Sequence, residues 1–137
     1  MPLILPRLAV AAAMLAAPAP APAPDSPEKN VAAAAADLSV GYGMWLWEKR
    51  CHTMTAALRA NYDAVIADDL KRLQDASDER LFNAAVSSGR EASSDPSMPA
   101  CDAKDAKGIA SFGLSVARDA QAKLKSLPSG YHLSISD

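Results

Sequence analysis

The chain has 137 residues, a formal net charge of −2, and half of its residues are hydrophobic. Alanine supplies 30 of these residues, nine of them before Asp25, and from Asp25 onward only 30 apolar residues are larger than alanine. That supply excludes two well-filled domains. The mildly acidic balance without a basic stripe argues against nucleic-acid binding, and the periodic Leu, Val, Ile and aromatic residues of the body exclude a wholly disordered chain.

Residues 1–17 read as a secretory signal peptide. Arg7 gives a positive start, Leu8 to Ala17 is an unbroken apolar run, and small residues follow, the three-part pattern of an export leader. The run is shorter than the roughly 20 residues of a membrane span, and cleavage is expected near Ala16 or Ala17. Residues 18–25 form a Pro/Ala-rich linker, alternating proline and alanine from Pro18 to Pro24. Such a stretch favours extended polyproline geometry or is a remnant of processing. The expected localisation is periplasmic or extracellular.

A helical domain is predicted over 26–128. Ser26-Pro27-Glu28 has a capping hydroxyl, a proline in the first turn and an acid at the positive dipole end. Val40, Met44, Trp47, Cys51, Met54 and Leu58 recur at helical spacing and predict one core stripe, with a break near Thr53–Thr55. Leu58, Tyr62, Val65, Ile66, Leu70 and Leu73 predict a second stripe, with Asp68 and Asp69 mainly off it. A turn at Asp75–Glu79 leads to a short helix carrying Leu81, Phe82, Ala85 and Val86, with Gly89 as its stop and a loop from Ser87 to Pro99. Asp102 can cap the last helix, whose stripe is Ile109, Phe112, Val116, Ala120, Leu124 and Leu127, and Pro128 closes it. Residues 129–137 alternate like a strand but find no partner strand, so an extended tail is expected. The predicted fold is all-α: a small bundle of three to four helices with one disulfide.

The disulfide joins Cys51 and Cys101, the only two cysteines. An even count in an oxidising compartment points to a bridge, and neither cysteine belongs to a C-x-x-C redox motif. No catalytic constellation is expected. Gly113-Leu114-Ser115 lacks a preceding strand and a second glycine, and Ser26-Pro27-Glu28-Lys29 lacks the companion motifs of an S-x-x-K enzyme. No phosphate loop or dinucleotide fingerprint occurs, and no cofactor is implied.

Two binding features remain. Tyr42 and Trp45 belong to an aromatic cluster in which Trp45 is rotated about 200° from Trp47 on a helix, so it must meet a second surface, a partner, a ligand or water. An aromatic anchor of this kind marks a binding patch for another envelope protein. His52, Met54 and Met98 offer imidazole and thioether groups, a donor type that suits copper, although methionine also fills core gaps. In layout the chain resembles the small periplasmic acid-stress chaperones, which are exported, helical and carry one cysteine pair about as far apart. Arg50-Cys51-His52-Thr53-Met54 departs from the aromatic-rich segment around that family's first cysteine. The expected function is therefore non-enzymatic, through protein contacts or as an envelope-stress factor, with soft-metal or small-ligand binding as the alternative.

Overall fold

The computed structural model describes residues 25–134; the predicted signal peptide and nearly all of the linker lie outside them. Four helices follow in order: α1 Pro27–Cys51, α2 Ala56–Ala76, α3 Glu79–Ser93 and α4 Ala106–Lys125. The helix starts follow local chemistry. Ser26 accepts from the Lys29 N–H, Thr55 from the Leu58 N–H and Asp78 from the Leu81 N–H, each meeting a donor that the first helical turn leaves unpaired. At the far end of α1, His52 takes the left-handed conformation (φ 53°) and its N–H donates to the Glu48 carbonyl at 2.8 Å.

α1 is the hub, packing against the other three helices; α2 also packs on α4, whereas the backbones of α3 and α4 make no close approach. The pairings Asn30–Ser126, Asp37–Lys123 and Gly41–Ala117 run α1 and α4 antiparallel. The pairs Trp45–Asp63 and Glu48–Arg59 do the same for α1 and α2. Leu38, Tyr42, Tyr62, Ile66, Leu73, Leu114 and Leu124 form the main core with many alanines, and Trp47, Ala106 and Ala110 form a second cluster beside the disulfide.

Glycine and alanine decide which faces meet. A Cβ on Gly113 would lie 2.5 Å from the Met44 Cβ and against the Tyr62 hydroxyl, and one on Gly41 would lie 3.0 Å from the Ala117 Cβ. α4 accordingly turns Ala106, Ala110, Gly113, Leu114, Ala117, Ala120 and Leu124 inward. This shifts two predicted stripes. Phe112 is 56% exposed, Val40 40% and Leu58 43%, while Ile109 and Val116 are only partly covered. Backbones approach most closely over small residues, so the helices rotate to meet there and carry the larger side chains to the flanks.

Three boundaries also differ from expectation. α3 continues through Gly89 to Ser93, because Gly89 lies inside the α1–α3 contact, where a Cβ would meet the Ser39 carbonyl at 2.8 Å and the Tyr42 ring at 2.7 Å. Gly89 admits the neighbouring helix instead of ending its own. α4 starts after Asp105, and Asp102 lies in the turns before it. The tail is tied down: Leu133 donates to the Ala76 carbonyl at 2.7 Å and accepts from the Asp78 N–H at 3.1 Å, forming one isolated parallel bridge with Ser77. The α2–α3 turn supplies the partner that no strand provided.

Candidate functional site

The two tryptophans leave α1 on opposite sides, as their spacing requires. Trp47 is buried, and its Nε1 donates to the Pro99 carbonyl at 3.0 Å, fastening the loop that leads to Cys101. Trp45 is half-buried against α2, where its Nε1 donates to Asp63 Oδ1 at 2.7 Å. Its ring stacks on Tyr42 with centroids 5.6 Å apart, and Lys49 Nζ lies 4.6 Å from its centroid. Tyr42 itself is buried. The Trp45 hydrogen bond, and then Lys49 at 3.1 Å, hold the Asp63 carboxyl below its ordinary range. The second surface demanded by Trp45 is thus largely α2.

The corner between α1 and α2 is built on Glu48, a buried carboxyl that the sequence reading did not single out. One oxygen accepts from the Thr53 N–H at 3.0 Å and from the Thr53 hydroxyl, and the other from the Met54 N–H at 2.7 Å. Arg59 Nη1 lies 2.6 Å from His52 Nδ1, with its Nε 3.8 Å from Glu48. Trp45, Lys49, His52, Arg59 and Asp63 ring a shallow depression of about 210 Å³. Partly buried hydrogen bonds fix both the turn and the indole that border it.

Cys51 and Cys101 are bonded to each other, with Cα atoms 5.0 Å apart. Neither offers a thiolate to a metal. His52 is exposed beside Trp45, Met54 packs into both apolar clusters, and Met98 lines a separate depression with Trp47, Arg50 and Pro99. The fold does not bring His52 and Met98 into one depression. Among the described residues, no three His, Cys, Asp or Glu side chains converge as a metal cage.

Two features escaped the sequence stripes. The first is an apolar flank. At 100° per residue, Phe112 and Val116 lie on the side of α4 turned away from Gln121, which faces α2, and Val40 lies on the matching side of α1. The antiparallel register, with Gly41 on Ala117 and Met44 on Gly113, sets Val40 within about half a turn of Val116 and roughly one and a half turns from Phe112 along the helix axis. The strip lies toward the side where the backbones of α3 and α4 make no close approach. The second is Asp69, expected off the α2 stripe but fully buried at its centre, one step in the series Tyr62, Ile66, Asp69, Leu73. Spacing alone would have placed it there; its charge argued against the placement.

The architecture and its sites define a small, disulfide-clamped helical protein hubbed on α1. No protein-family model, curated protein or solved structure matches the chain. No helix among the described residues is long and apolar enough to cross a membrane.

Proposed function

We propose that this is an exported, non-enzymatic protein of the periplasm or extracellular space that acts by binding another envelope protein, in a structural or stress role. The partner chemistry we infer is an amphipathic helix laid between α3 and α4, with its apolar side on Val40, Val116 and Phe112. One observation carries the reading: a domain short of large apolar side chains leaves Phe112 56% exposed on a helix whose inner face is mostly alanine and glycine. Helices commonly recognise such apolar grooves, and exposed aromatic anchors are favoured at binding hot spots. The leader pattern and the single cysteine pair support export. The Trp45 corner on the other side of α1 offers a second contact.

A photo-crosslinking amino acid placed at position 112 in cells tests the reading, with the exposed Ala122 as control position. One discrete protein adduct at 112 that is absent at 122, and that is lost when Val40→Asp is added, is expected. The same diffuse adducts at both positions would overturn it.

A further inference from the structure

Asp69 presents a polar group without a structural use in the bundle. Its side chain is completely buried, and neither carboxyl oxygen has a hydrogen-bond partner. It lies two turns below Tyr62, whose hydroxyl donates to the Gly41 carbonyl, which sets Asp69 level with Ala34 to Leu38 of α1. Its neighbour Asp68 lies about 100° around the helix, accepting from Arg72 and from Gln121 of α4 at 2.8 and 2.7 Å.

No cation is bonded to Asp69. On α2, Arg72 is bonded to Asp68 and acts on Asp69 only through space. From α4, Lys123 is held by Asp37 of α1 at 2.6 Å, and Lys125 acts on Asp69 only through space. α3 buries Ala85, Gly89 and Ser93, none of which titrates. A carboxylate without partner or counter-ion is costly in an apolar interior, whereas the neutral acid costs far less.

We propose that Asp69 is a proton-operated latch: the neutral acid lets α2 seat against α1 and α4, and its ionisation loosens that seat. This seat is then firmest while Asp69 is protonated and slackens as the pH rises toward neutrality. Desolvation, and then the charge of Asp68, raise the Asp69 pKa to about 7. The sign follows from linkage. A carboxyl whose folded pKa lies above its unfolded value of about 3.9 binds more protons when folded, so the contribution of Asp69 to stability is full below about pH 4 and is lost as the pH rises to about 7. Asp63 and Asp68 are both held below the ordinary range and stay ionised across neutral pH. They add no slope there.

Urea unfolding of the full chain between pH 5 and pH 8, followed by tryptophan fluorescence, tests the latch against Asp69→Asn. The unfolding constant of the wild type is expected to rise roughly a hundredfold across that interval. The Asn variant keeps the shape without the proton and should lose most of that rise. A flat wild-type profile, or the same slope in both chains, would overturn the proposal. A side-chain carboxyl NMR titration of the wild type gives an answer even if the variant does not fold: one aspartate still protonated at pH 6 is expected, and none would refute the latch.

Discussion

Two regions of the same helix pair are held by opposite means. Along the middle of the α1–α4 seam, Gly41 and Gly113 bring the backbones together, and there is no room for even one added methyl group at Gly113. At the end of the pair, Trp47 fills the space, and the Cys51–Cys101 bond ties the far loop to α1. The seam depends on volume being absent and the end on volume being present. A methyl group added to the seam should therefore act like a ring removed from the end, and substitutions that ignore this distinction would be ranked wrongly by helix propensity or hydrophobicity.

Removing the ring should have the largest effect. Trp47→Ala empties the second cluster and leaves the Pro99 carbonyl without its donor. A loss of about 3–5 kcal/mol is expected for a buried tryptophan, read as a lower urea midpoint. A loss below about 1 kcal/mol would show that the end is not held by packing.

Cutting the covalent tie should come close behind. The bridge closes a span of 50 residues, which is worth about 4 kcal/mol in the chain-entropy model. The Cys51→Ser/Cys101→Ser double variant should fall in the range of about 2–5 kcal/mol. Trp47 and Arg50 still fasten the loop through the Pro99 and Ser93 carbonyls, so the variant should retain its helical circular dichroism below the lowered midpoint. Loss of helix in native buffer would mean that the tie organises the whole bundle and not only its end.

These contrasts also explain which parts of the fold could be read in the sequence. Three helix starts were legible because Ser26, the break near Thr53–Thr55 and the Asp75–Glu79 turn carry their own capping chemistry, whereas α4 begins after Asp105 without a side-chain cap; the cysteine pair was legible because only one pairing exists. Helix faces were not. Stripes drawn through the largest side chains put Val40, Leu58 and Phe112 inside, where packing favours alanine and glycine. The same weighting hid Gly89 as a close-approach point and read it as a stop. Trp45 was recognised as needing a second surface, and α2 supplies most of it through Asp63. Asp69 and Glu48 were missed for a common reason: a carboxyl is assigned to solvent unless the fold shows what surrounds it. Glu48 is buried because a turn donates to it, whereas Asp69 is buried without any such partner.

The close-approach seam is tested most directly by two alanines on one helix. Gly108 and Gly113 both lie on α4; a Cβ at Gly108 meets nothing within 4 Å, whereas one at Gly113 meets Tyr62 and Met44. Propensity alone makes both Gly→Ala changes favourable, by up to about 1 kcal/mol. Close packing through Gly113 predicts opposite signs in urea unfolding: Gly108→Ala raises the midpoint, and Gly113→Ala lowers stability by about 1–3 kcal/mol. If both alanines stabilise the protein, α1 and α4 are not held together by close approach at Gly113.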